Sequence, residues 1–154
     1  MASFRDTSDR SWDFSITVSS IKRVRSLVGV DLMDMVDGKL VEEFLTDPVM
    51  LVDTLYSLCK PQADDLGVSD EEFGEAMSGD VIDHATKALI LELIGFFPNA
   101  RDRKNLKRVM ETTWEVMDRA RDVMEARINN GELDRIADQA VKSLGEQFTN
   151  PLES

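Results

Sequence analysis

The 154-residue chain carries one cysteine and one histidine. A single thiol rules out an intramolecular disulfide, and Cys59, among Leu55, Tyr56 and Leu58, reads as a small packed side chain in a reducing compartment. His84 alone cannot build a two-histidine metal site, a His/Cys cluster or a second catalytic imidazole, and it reads as a packed or surface residue. Long apolar runs are also missing. None approaches the roughly 20 residues of a membrane span, and Met1 to Arg10 lacks the apolar core of a signal peptide, so an intracellular protein is expected. No glycine-rich phosphate loop occurs. Asp31, Asp34 and Asp37 precede Gly38 at intervals of three, whereas a calcium loop needs acids at alternate positions. Pairs such as Asp64-Asp65 and Glu71-Glu72 supply carboxylates without an evident shared site. No catalytic residue, metal ligand or cofactor is assigned, and the expectation is a protein that is not an enzyme.

Positive charge is scarce: 18 Lys and Arg stand against 30 Asp and Glu, for a net charge of -12. That balance disfavours nucleic acid and anionic membranes as partners. From Pro61 to Thr86 there is no Lys or Arg, while Asp64, Asp65, Asp70, Glu71, Glu72, Glu75, Asp80 and Asp83 fall there. Arg101 to Arg108 reverses the sign with Arg101, Arg103, Lys104, Lys107 and Arg108. The plain interpretation is two solvated faces. The sharper one is a pair of complementary patches, Asp64, Asp65, Asp70, Glu71 and Glu72 against the five cations, that steer head-to-tail self-association.

What the chain does have is clear periodicity. Trp12, Phe14, Ile16 and Val18 alternate with Asp13, Ser15 and Thr17, which predicts a strand with one buried face; with the turn-like Asp6 to Asp9 before it, Phe4 to Val18 reads as a hairpin. At Ser20 the period becomes helical through Ile21, Val24, Leu27 and Val28, interleaved with Lys22, Arg23 and Arg25, and Gly29 sits where a left-handed cap belongs. Asp31 caps a turn through Met35, and Gly38 precedes a short apolar stretch at Leu40, Val41, Phe44 and Leu45. Asp47-Pro48 starts a helix expected to bury Val49, Val52, Leu55, Tyr56 and Cys59 and to stop at Pro61. Ser69 with Glu72 matches a capping box, opening a short helix with Phe73, Ala76 and Met77. Gly79-Asp80 caps the next helix, apolar nearly all round from Val81 to Phe97 and expected to be the central core helix. Pro98 begins a new element, and helices are expected over 100–129 and 132–148, divided at Asn129-Asn130-Gly131.

The longest helix holds an internal repeat: Val109-Met110, Val116-Met117 and Val123-Met124 lie seven residues apart. With Leu106, Thr113 and Ala120 between them, the pattern resembles a coiled-coil seam with small residues. Packing within the chain, against Leu133, Ile136, Val141 and Leu144, is one expectation. The other is a surface for another chain, with Leu106, Val109, Met110, Trp114, Val116, Met117, Val123 and Met124 as the candidate partner-binding residues, because methionine adapts to imperfectly matched apolar partners.

The expected fold is therefore α+β and predominantly helical: a short N-terminal β-hairpin (1–19), a helical core of the same domain (20–98) giving about five or six helices in all, and long amphipathic C-terminal helices (99–154) as a candidate interaction arm. The run WDFSITVSSIKRVRSLVGVDL, then TDPVMLVDTLYSLCKPQADDLGVSDEEFGEAM, ending in LILELIGFFP, resembles the small tail assembly chaperones of long-tailed bacteriophages and prophages over about Trp12 to Pro98. The resemblance implies a mostly helical, self-associating protein of the infected bacterial cytoplasm, absent from the mature virion. It would hold the tape measure protein soluble while tail tube subunits assemble around it, with the tail tube protein as a further candidate partner. Two other classes stay open: an acidic inhibitor occupying a basic groove of a host factor, and a structural component of the virion.

Overall fold

The structure, a computed structural model, describes residues 1–149, excepting the side chains of residues 36, 37, 148 and 149. Its first element is the hairpin. Strand β1 (Ala2–Arg5) pairs antiparallel with β2 (Ser11–Phe14), Phe4 opposite Trp12. Alternation puts Phe4, Trp12 and Phe14 on one buried face. The turn is organised by Asp6, whose Oδ1 accepts from the Ser8 and Arg10 amides at 2.9 and 3.0 Å. Its Oδ2 accepts from Arg10 Nε at 2.9 Å and from Trp12 Nε1 at 2.8 Å. Burial alone would push the Asp6 carboxyl up, but these bonds from Trp12 and Arg10, with the Ser8 amide, hold it below its ordinary value. Thr7 then ties the turn to the fold, donating from N and Oγ1 to Ala76 O at 3.0 and 3.1 Å.

The strand ends earlier than its alternation suggested. Ile16 is buried but lies outside the strand, and Val18 is exposed as the first residue of α1 (Val18–Val28). Thr17 turns the chain by a reciprocal cap: its Oγ1 accepts from Ser20 N, and its own N donates to Ser20 Oγ at 2.8 Å. A serine performs the return bond usually given by Glu or Gln. At Ser69 the pattern is only half realised: Oγ accepts from Glu72 N, but it donates to Glu72 Oε1 instead of freeing that carboxylate for its own amide. Gly29 closes α1 at φ 75°, where a Cβ would be strained. Asp31 caps a 3-10 helix (Leu32–Asp37), followed by α2 (Lys39–Thr46), an additional helix where a short apolar stretch was anticipated.

Helix α3 (Pro48–Leu66) starts at the Asp47 cap as expected but runs through Pro61 to Gly67. Proline at that position removes the amide that would bond Ser57 O. Arg23 of α1 replaces it, Nη1 donating to Ser57 O at 3.0 Å and to Leu58 O at 3.3 Å. One residue on, Gln62 holds strand β2, accepting from Asp13 N at 3.0 Å and donating to Ser11 O at 2.7 Å. A predicted helix stop is thus a docking point for two elements. The buried face is Leu51, Thr54, Leu55, Leu58, Cys59 and Ala63; Val49, two residues or about 200° round the helix from Leu51, is exposed.

Helix α4 (Asp70–Glu75) delivers Phe73 into an aromatic cluster, edge-on to Trp12 at 5.0 Å, Tyr56 at 5.4 Å and Phe4 at 6.3 Å between ring centroids. Helix α5 (Asp80–Phe96) buries Ala85, Leu89, Ile90, Leu93 and Ile94 but leaves Leu91 exposed, and Phe96 and Phe97 are half-buried. It is one-sided. The central helix is α3, which meets α1, α2, α4, α5 and β2. Helices α6 (Ala100–Asn129) and α7 (Glu132–Thr149) follow the anticipated bounds to within a residue, with Gly131 between them. The described architecture is α+β and mostly helical, one hairpin, seven α-helices and one 3-10 helix. It divides into two compact units, Met1–Lys107 and Arg108–Ser154.

Candidate interaction surface

In the second unit apolar side chains stay on the outside. From Asp118 to Glu146 every described residue is exposed except Gly131. Two helices connected by a short turn therefore do not bury their stripes in each other, and the expected intrachain packing of Leu133, Ile136, Val141 and Leu144 is not formed: they are exposed by 44, 61, 69 and 54%. On α7 these residues recur at steps of three to five and share one side of the helix, with Ala137 and Ala140 between them. The turn is held by Asn130 N to Ala126 O at 2.9 Å and Gly131 N to Ile128 O at 3.1 Å.

On α6 the members of each Val-Met pair have different environments. Val109, Val116 and Val123 are exposed by 60, 58 and 55%. At the methionine positions exposure climbs along the helix, from buried Met110 through half-buried Met117 to exposed Met124. Neighbouring residues point about 100° apart on a helix, so a heptad in both members describes two adjacent stripes. Leu106 and Trp114 are half-buried. The valine stripe, together with Met124 and Ile128 on the neighbouring side of the helix, is the exposed part of the candidate seam. The helical spacing of Ile128 and the α7 residues is plain in the sequence, whereas their exposure is set by the fold.

The two charged runs are placed less simply. Asp64, Asp65, Asp70, Glu71, Glu72, Glu75, Asp80 and Asp83 are all exposed. Asp64 pairs with Lys60 at 2.9 Å and Asp83 with Lys87 at 3.2 Å, each one helical turn apart. Among the cations, Arg101, Lys104, Lys107 and Arg108 are exposed. Arg103 is half-buried and structural: its Nη1 donates to Phe97 O at 2.6 Å and Pro98 O at 3.0 Å, satisfying carbonyls at the end of α5.

His84 is exposed on α5. Burial pushes the Cys59 thiol up to about 12, with the Asp13 charge adding to the rise and Arg23 opposing it, so it is a neutral packed group at physiological pH. Asp31 is committed to capping, accepting from Met33 N at 3.0 Å and pairing with Arg25 at 3.0 Å, and these bonds hold its carboxyl below its ordinary value. The Asp37 side chain lies outside the described residues. Among the described residues no group of three or more His, Cys, Asp or Glu is placed to hold a metal, and no helix is long and apolar enough to cross a membrane. Compared with protein-family models, curated proteins and solved structures, the chain matches none.

Proposed function

We propose that this protein is a binding chaperone of the phage tail assembly kind, which keeps the tape measure protein soluble by covering its apolar helical surface during tail tube assembly. The observation that carries the reading is the exposed aliphatic stripe on α6 and α7: Val109, Val116, Val123 and Ile128, then Leu133, Ile136, Val141 and Leu144. Fully burying one such side chain is worth about 1.5–3 kcal/mol, so a set of them left in water is a strong site for a partner. An amphipathic helix lying along either helix would pack its own apolar side against these residues. Action is by occupancy, without turnover. The acidic surface of the first unit keeps the loaded complex dispersed. Self-association, contact with the tail tube protein, residence in the infected bacterial cytoplasm and absence from the mature virion belong to the same proposal.

Co-expression with the long helical protein encoded nearby tests it. Soluble recovery and co-purification are expected, with loss of both in the double variant Val116→Glu, Val123→Glu. Failure of a well-folded sample to rescue that protein overturns the reading, and capture of a basic host factor through the acidic run would install the inhibitor in its place. Finding the protein in purified particles would instead make it a virion component.

A further inference from the structure

Helices α6 and α7 are joined by two residues, Asn130 and Gly131, between Asn129 and Glu132. That is the short limit of the roughly two to five residues through which two helices fold back on each other. The turn is braced in its open form: Arg127 Nε lies 3.6 Å from Glu132 Oε2, and Arg135 Nη2 donates to Asn130 O at 3.5 Å. Both helices leave their apolar sides uncovered, and those sides fit each other. In an antiparallel pairing, residues equally far along the chain from the Asn130-Gly131 bond fall opposite: Ile128 with Leu133, Met124 with Ala137, Ala120 with Val141. Each set of three is one row at i, i+4 and i+8, and all six residues are exposed. In two of the three layers a large side chain meets alanine, the alternation that lets facing rows interdigitate. On one flank Arg121 comes near the level of Asp138, and on the other Val123 near that of Ile136, so charge and apolar surface also match beside the rows.

We infer that a second copy of this chain fills the surface: two chains exchange arms, α7 of each lying antiparallel on α6 of the other about a two-fold axis at the Asn130-Gly131 turn. Every layer that a closed hairpin would make within one chain is then made twice between two chains, while each keeps the open turn seen here. Exchange of identical elements is a low-cost route to a dimer, and short, constrained hinges invite it. A helix of unrelated sequence would meet the apolar rows without the large-to-small alternation and without Arg121 and Asp138 at matching levels. The inference rests on the reading of this arm as an interaction surface and names its occupant before the tape measure protein is bound. Opening of the exchange then frees α6 and α7 for loading.

Disulfide trapping in the full chain tests it, using Met124→Cys and Ala137→Cys together. Cys59 stays in place, because its thiol is buried and pushed up to about 12. Mild oxidation, an N-ethylmaleimide quench and a non-reducing denaturing gel should show a cross-linked dimer. Its yield should be about tenfold above that of the mismatched pair Met124→Cys, Leu144→Cys, which lies about 10 Å out of level, beyond the reach of a disulfide. Sedimentation of the wild type over a dilution series should show dimer giving way to monomer. Ala137→Glu should raise the midpoint about tenfold or more, because the added carboxylate faces Met124 of the other copy. A bond within one chain that leaves a monomer, equal trapping in the two pairs, or a wild type that sediments as a monomer throughout overturns the exchange. Each of these outcomes leaves rescue of the tape measure protein, read separately with Val116→Glu, Val123→Glu, as it stands.

Discussion

Helices α3 and α6 are both long and both carry apolar residues at helical spacing, yet α3 buries Leu51, Leu55, Leu58, Cys59 and Ala63 whereas α6 buries Met110 alone among its described residues. The difference is in what surrounds them. Helix α3 has neighbours on several sides, including α1, α2, α4, α5 and the hairpin. The apolar residues of α6 are not covered by α7, which leaves its own apolar side exposed as well. An amphipathic pattern states that a face wants burial; it does not state whether the same chain supplies the cover. In the first unit the demand is met internally and becomes stability. In the second it is unmet, and the apolar side chains of α6 and α7 stay in water.

Four experiments would break or sharpen that contrast. The largest effect should come from Phe73→Ala, which empties the aromatic cluster joining hairpin, α3 and α4: a loss of about 3–5 kcal/mol in chemical denaturation. Unchanged stability would show that the first unit is not organised around that ring. Asp6→Ala should cost about 3 kcal/mol, since it strands the buried Trp12 Nε1 donor and the Arg10 guanidinium. The same carboxylate predicts an acid limit. Because its native pKa is depressed, its stabilisation is complete above an unfolded value of about 4 and is lost as pH falls through the lower native value. Melting temperature followed from pH 6 to 2 should therefore decline in the wild type and decline less in Asp6→Ala.

Arg23→Met should cost about 1–3 kcal/mol by leaving the Ser57 carbonyl, which has no helical amide opposite it, without its donor. In the background of Pro61→Ala, where the helix regains its own amide for Ser57, the same change should cost measurably less; equal costs in the two backgrounds would disprove the compensation. The smallest effect on folding should follow Val116→Glu, within about 0.5 kcal/mol of wild type, because that side chain is already in water. Partner capture should nevertheless fail in it. A large loss of stability would mean that the valine stripe is core after all.

Much of the local structure was legible in the residues themselves. Alternation at Trp12 and Phe14, Asp47-Pro48 at the start of α3, Gly29 after α1 and the turn at Asn130-Gly131 are governed by neighbours a few positions away, and each is where its chemistry put it. The helical character and the bounds of α6 and α7 were equally local. Where several residues could serve, the pattern misled: Val18 read as the end of a strand, because nothing short of the Thr17–Ser20 cap shows the chain turning there.

The candidate surface was half visible. The heptad named Val109, Val116 and Val123, but the same pattern fits an intrachain core, and only the exposure of α6 and α7 separates the two. Pro61 lost its role as a stop for a similar reason. Its local effect is to delete a hydrogen bond, and whether that ends a helix depends on an arginine 38 positions earlier. Arg103, counted with the basic patch, likewise turned out to cap α5. The residues alone determined where helices and turns begin, which faces are apolar and how charge is distributed, because those follow from backbone sterics and spacing. Tertiary structure decided which faces are covered, which charges are engaged and which interrupted bonds are repaired, because each of these depends on groups that meet only when the chain has folded.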